Sequence, residues 1–249
     1  MQHSVLICTP CKSGFVHVNY LLSLMHSLNI LVAKDIKFAL FFDVGKAGID
    51  LPRSQAATFF LQSEHTHMMF IDDDMAWQPE LIGRMIELDR DILGVPYRQK
   101  EHNHIYTMRT PGDLEKSADN DALINVHDIA TGLLLIKKRV FEVLKDKADV
   151  VIDHQTKKEI YMFFRHCIVE DKIVQPDGGH SYMSEDLYFC RQAREAGFQI
   201  WSYVDAETAH IGTTSFRGNY VEVLESTTKG NFRDTLQKQK LRLSGAIDG

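Results

Sequence analysis

Two periods of apolar residues run through the first hundred positions. Short apolar-rich runs at 4–8, 36–42, 68–71 and 91–95 read as strands, and 68–71, which is unbroken, has the pattern of one covered on both faces. Between them, apolar residues recur three and four apart. Leu21, Leu22, Met25 and Leu28 predict a helix over 18–31, and Ala56, Phe59 and Phe60 turn inward on a helix opened by Pro52. Leu81, Ile82, Met85 and Ile86 follow Pro79, which suits a first helical position. Strand and helix alternating in this way predict an α/β protein with a parallel, doubly wound sheet.

After residue 95 the runs shorten. Pro96-Tyr97-Arg98-Gln99-Lys100 carries basic and aromatic groups suited to a sugar or phosphate, and 111–121 is a polar excursion. Strands are expected at 123–129 and 132–137, around Ala130-Thr131-Gly132, where a glycine lets a ligand approach the backbone. A short helix over 138–145 turns Val140, Phe141 and Leu144 inward, and 150–153 with 160–164 form a hairpin around Gln155-Thr156-Lys157-Lys158. Asp177-Gly178-Gly179-His180 is placed to act as a lid. Ser184 is the expected N-cap of a helix that stops at Gly197, and a strand follows at 199–203. Residues 221–243 read as a final helix, basic at Lys229, Arg233, Lys238, Lys240 and Arg242, with peripheral contact to an acidic membrane surface as one use for it.

Against this pattern, Asp72-Asp73-Asp74 is conspicuous: an apolar strand ends on three consecutive acids. Adjacent carboxylates repel unless a cation sits among them, and a hard, oxygen-preferring ion such as Mn2+ or Mg2+ suits them. The C-terminal edge of a parallel sheet is also where ligands of open α/β folds gather, so the stretch reads as a metal-phosphate site. A solvated turn, with one acid capping the next helix, is the structural alternative. An EF-hand would need Gly and Glu where Trp77 and Gly83 stand, and a phosphate loop would need Ser or Thr after Gly45-Lys46, where Ala47 stands.

Length, charge and cysteine content narrow the class. The chain has 249 residues, 44% hydrophobic and 25% charged, enough for one large α/β domain or two small ones. A formal charge of -6 argues against a nucleic-acid binder, which needs a basic face. Cys8, Cys11, Cys167 and Cys190 are too scattered for a disulfide framework, and the lone C-x-x-C has no second pair to complete a zinc site. With neither a secretory leader nor a long apolar span in view, the expected setting is cytoplasmic.

Three further positions carry candidate chemistry. Glu185-Asp186 opens a helix, where acids favour the dipole and a carboxylate stays ionised, the state a general base needs. His210 is a neutral nitrogen donor that could join a carboxylate around Mn2+. Arg53, in a first helical turn where a cation is not favoured, could face an anion in the cleft.

Together, the early strand ending in Thr9-Pro10, the D-x-D within Asp72-Asp73-Asp74, Ala130-Thr131-Gly132, Glu185-Asp186 and His210 resemble, in their order, the GT-A glycosyltransferases, family 2-like enzymes that use nucleotide-diphosphate sugars. The resemblance implies a single GT-A-like, Rossmann-like domain with a mixed, mainly parallel sheet flanked by helices: a nucleotide-binding half over 1–100, an acceptor-binding half over 101–215 and a C-terminal helical extension over 216–249. It implies metal contacts from Asp72, Asp74 and His210, and donor contacts from Thr9, Pro10, Arg53, Asp72, Asp73, Thr131 and Gly132. Asp186 would be the base that deprotonates the acceptor hydroxyl, and Glu185 would orient the acceptor. The implied reaction moves one hexose or pentose from a UDP-sugar to a glycan, glycoprotein or glycolipid, with inversion. No Q-x-x-R-W motif follows the second acidic site, which argues against a processive synthase. A retaining transferase, a nucleotidyltransferase and a non-catalytic glycan- or nucleotide-binding module are the alternatives.

Overall fold

The computed structural model describes residues 2–46, 48–101, 105–170, 179–227 and 232–243. The first half delivers the expected alternation: β1 (Ser4–Cys11), α1 (Val18–Ala33), β2 (Lys37–Val44), α2 (Asp50–Gln62), β3 (His67–Ile71), β4 (Met75–Trp77), α3 (Leu81–Glu87) and β5 (Ile92–Gly94). Then come β6 (Met108–Arg109), β7 (Leu123–Asn125), β8 (Asp128–Ile129), β9 (Leu133–Lys137), α4 (Lys138–Leu144), β10 (Val150–Ile152), β11 (Glu159–Tyr161), β12 (Cys167–Glu170) and β13 (His180–Met183). The chain continues with α5 (Glu185–Glu195), β14 (Trp201–Tyr203), β15 (Thr208–Ile211), β16 (Ser215–Gly218), α6 (Val221–Thr227) and α7 (Phe232–Leu243).

The central sheet has seven strands in the order β2-β1-β3-β9-β5-β14-β7. β1 runs parallel to β2 and β3, and β14 parallel to β5, whereas β9 is antiparallel to both its neighbours and β7 to β14. Five of the seven strands therefore share one direction, and the architecture is the mixed, mainly parallel α/β sheet expected. Its centre is apolar throughout: every residue of β3 is buried, and Leu133 to Ile136 of β9 are at most 1% exposed. Between the sheet and its helices lies an aromatic cluster in which Phe70 meets Phe164 edge-on at 5.3 Å and Phe164 stacks on Phe189 at 4.7 Å. Such pairs add about 0.5–1.5 kcal/mol each beyond area burial.

Some local readings are corrected. β2 is an edge strand, not a buried one, and Leu40, Phe42 and Val44 are exposed; an apolar run does not reveal that a strand has one neighbour. Phe59 is 49% exposed and stacks on Phe41, because adjacent helical residues lie about 100° apart and Phe60 takes the inward place. The strand expected over 123–129 is two, β7 in the large sheet and β8 paired with β6. The terminal helix is likewise two, α6 and α7. The β10–β11 hairpin forms as expected. Of the expected lid, Asp177 and Gly178 lie outside the described residues, and His180 opens β13.

Candidate functional site

Three carboxylates in a row leave the C-terminal end of β3 in three directions. Asp72 is held from both sides: its N–H donates to the Gly132 carbonyl at 3.2 Å and its Oδ1 accepts from Arg53 at 2.8 Å. The Asp73 carbonyl accepts from the N–H of His17, the N-cap of α1, at 3.0 Å, and burial raises the Asp73 carboxyl above the usual range, with Asp74 and Asp72 adding to the rise. Burial alone would raise Asp74 too, but His210 and Lys100 outweigh that and hold it below the usual carboxylate range.

The His210 contact is made by strand pairing. β4 begins immediately after Asp74 and lies antiparallel to β15, with His210 opposite Met75. Ile211 N–H donates to the Asp74 carbonyl at 2.9 Å. His210 Nδ1 lies 3.0 Å from the Arg98 carbonyl, which can only accept, so Nδ1 carries a proton and, in the neutral ring, Nε2 is the atom with the lone pair. That Nε2 stands 3.5 Å from Asp74 Oδ1, a buried oxygen with no hydrogen-bond partner among the described residues. With the ring neutral, Nε2 and Oδ1 both present lone pairs across a gap that suits a cation; with the ring protonated, Nε2 pairs with Asp74 directly. Lys100 already places an ammonium on the other oxygen, Asp74 Oδ2. Among the described residues no three His, Cys, Asp or Glu side chains form a ready metal shell. The fit is thus to an ion held by two protein atoms, with oxygens of a ligand or water completing its coordination.

Arg53 joins the two acidic stretches. It projects from α2, is 3% exposed, and its guanidinium donates to both Asp72 and Glu185. Burial opposes its charge, but Asp72 and then Glu185 outweigh that and raise its pKa. Glu185 is itself 6% exposed, and His166 Nε2 lies 3.1 Å from its second oxygen. Burial raises the Glu185 carboxyl against the pull of Arg53. Both Glu185 oxygens are therefore engaged inside the protein.

Asp186, one residue on, looks outward. Its Oδ1 accepts from Leu187 N–H at 2.8 Å and from the Ser184 hydroxyl, so Ser184 supports Asp186 instead of capping the backbone. Among the described residues nothing donates to Asp186 Oδ2.

Thr9, Pro10, Thr131 and Gly132 sit around the same end of the sheet. Thr9 is 1% exposed and shares a 2.5 Å hydrogen bond with the Tyr20 hydroxyl, so its side chain faces the core. Pro10 lies opposite Asp43 in the β1–β2 register. Thr131 is buried, and its Oγ1 has no partner among the described residues. Gly132 admits the Tyr97 phenol: a Cβ there would overlap Tyr97 Oη and lie 2.6 Å from Cζ. Tyr97 is buried among Asp72, Arg53 and Asp186, with its ring edge-on to His210 at 5.0 Å. Tyr97 and Lys100 belong to the basic and aromatic stretch noted in the sequence. His166 had no signal beyond being a histidine.

The sequence matches no family model and no curated protein. Solved structures with a similar fold include A197 from STIV, 15% identical over 85% of this chain and 86% of that one, with a TM-score of 0.50. The catalytic domain of Drosophila beta1,4-galactosyltransferase 7, in complex with xylobiose, aligns at 13% identity over 94% of this chain and 79% of that one, with a TM-score of 0.45. Staphylococcus aureus TarS 1–349, in complex with UDP-GlcNAc, aligns at 13% identity over 81% of this chain and 56% of that one, with a TM-score of 0.42. A nucleotidyltransferase, the inositol-1-phosphate CTP transferase of Thermotoga maritima, aligns at 12% identity over 84% and 89%, with a TM-score of 0.42. At these identities the likeness is one of fold.

Proposed function

We propose that this chain is a metal-dependent glycosyltransferase that moves one sugar from a nucleotide-diphosphate sugar, a UDP-sugar in the first instance, to an acceptor hydroxyl with inversion. The observation that carries the reading is the approach of His210 Nε2 to the orphaned Asp74 Oδ1, which gives two remote stretches a common place for a divalent ion. Asp74 and His210 would hold that ion, Mn2+ or Mg2+, and the chemistry it supplies is neutralisation of the charge that develops on the departing diphosphate. The Arg98 carbonyl fixes the imidazole tautomer, and the Tyr97 ring braces its orientation.

Asp186 has the arrangement a base requires. Leu187 N–H and the Ser184 hydroxyl hold one oxygen, and the other is left to take the proton from the acceptor hydroxyl as its oxygen bonds to the sugar carbon and the diphosphate leaves. A carboxylate on the face opposite the leaving group gives inversion. Glu185, enclosed by Arg53 and His166, acts through position: it anchors the start of α5 and so aims Asp186.

Incubation with Mn2+ and a panel of UDP-, GDP- and dTDP-sugars, with release of nucleoside diphosphate as the readout, tests the proposal. Turnover should be lost in Asp74→Asn and His210→Ala and fall in Asp186→Asn. No turnover with any donor, even with bound nucleotide, would overturn it in favour of a binding module.

A further inference from the structure

The 16 residues of α1 include no Asp, Glu, Lys or Arg. One flank of the helix is accounted for: Ser23 and Ser27 donate to the Trp77 and Pro79 carbonyls, and Ile30 stands near Gly83 of α3. On the flank turned away from β4 and α3, towards β2, Val18, Leu21, Met25, Leu28 and Val32 recur three and four apart. That is the spacing of a seam that packs on another helix. Apart from Leu28 these side chains are 44–66% exposed.

The edge strand β2 continues this surface. Phe41 stacks on Phe59 of α2, so the alternate residues Leu40, Phe42 and Val44 lie on the α1 face of the sheet, where Val44 is beside Gly14 in the turn leading into α1. All three are exposed. The Lys37 and Gly45 N–H groups donate to the His3 and Cys11 carbonyls, so the odd-numbered residues bond β1. Phe38, Leu40, Phe42 and Val44 therefore turn N–H and C=O outward, and no strand among the described residues meets them. Sheet edges are commonly blunted by proline, a bulge or charge, and 38–42 has none of these. With Phe59 on the opposite face, the exposed side chains of α1 and β2 amount to on the order of 700 Å2, above the roughly 300–600 Å2 of a typical monomer's largest patch and near the ~800 Å2 each partner gives a standard interface.

We infer that a second copy of this chain covers this face, joined by antiparallel two-fold pairing of β2 with β2. Centred on Phe41, the pairing sets Leu40 against Phe42 and Phe38 against Val44, and the outward N–H and C=O groups of all four residues find partners. The same two-fold keeps both α1 helices on one face of the joined sheet, where their stripes wall in a shared floor of Leu40, Phe42 and Val44. A bilayer surface would cover the apolar side chains but offers nothing to the peptide groups of the edge. Strand pairing satisfies both.

Sedimentation equilibrium of the full chain from about 1 to 100 μM makes the test. The expected species is a dimer, twice the 28.5 kDa of one chain, with a Kd below about 100 μM. Leu40→Pro removes one outward N–H and leaves the bonds to β1 in place, and Met25→Glu puts a charge into the α1 stripe. Each should raise the dimer Kd at least roughly tenfold with the far-ultraviolet circular dichroism unchanged. If Leu40→Pro fails to fold, Met25→Glu, at an exposed helical position, decides alone. A monomer at every concentration, species that grow beyond two copies, or a dimer Kd untouched by Met25→Glu overturns the inference. A monomer that floats with phosphatidylcholine-phosphatidylserine vesicles also overturns it and assigns the face to a membrane.

Discussion

His210 presents Nε2 to Asp74 Oδ1 across 3.5 Å while its other nitrogen faces the Arg98 carbonyl at 3.0 Å. Each atom is aimed by backbone: β15 pairing with β4 for one, the end of β3 for the other. Replacing His210 by Gln should weaken Mn2+ binding in the presence of UDP by at least about tenfold, measured by calorimetry, with little change in thermal stability. Equal affinity in the variant would remove His210 from the metal site.

Arg53→Met should be strongly destabilising. The substitution keeps the apolar stem and removes the guanidinium, leaving Glu185 buried and Asp72 part-buried without their shared partner. Breaking a buried pair in this way costs about 3–5 kcal/mol, which urea unfolding would read directly. Arg53→Lys should recover only part of the loss, since one ammonium cannot reproduce the fork that reaches both acids.

How much of this was legible follows from which residues are local to one another. The end of β3 on three acids and the helix opened at Glu185 are properties of short stretches, and periodicity showed them. The partition of the acids was not visible, because Arg53, Cys11 and His210 each select a different neighbour only after the sheet order is set. β2 looked buried for the same reason: strand order, not composition, decides which strand is last. Lys100 stands out in sequence for its charge, but its contact with Asp74 depends on the fold bringing 98–100 alongside His210 and Gly212. His166 carried no motif at all, and only the fold sets it beside Glu185.

Gly132→Ala should cost about 1–3 kcal/mol by overpacking, because the added methyl overlaps the Tyr97 phenol and that ring is fully enclosed. Activity should fall further than stability, as the displaced ring is the one that meets His210 edge-on. Thermal unfolding alongside donor turnover separates the two effects.

His67 sets a pH dependence unrelated to the site. Burial, with help from His3 and Lys137, lowers its pKa from 6.5 to about 4. Above pH 6.5 the folded and unfolded chains are both neutral there. Between 6.5 and about 4 the unfolded chain binds a proton that the folded chain does not, so stability falls on acidification by about 3 kcal/mol in all, and this contribution levels off below that window. His67→Leu should flatten that part of the stability-pH profile, measured by urea unfolding from pH 7 to 4.5. An unchanged slope would assign the acid sensitivity to other groups.

One guanidinium spans the Asp72 loop and the first turn of α5. The two acidic stretches are consequently yoked: an insertion that tilts α5 drags the triple-acid turn with it. Grafting α5 onto another scaffold would therefore require Arg53 and its two acids to travel together, as a single cassette.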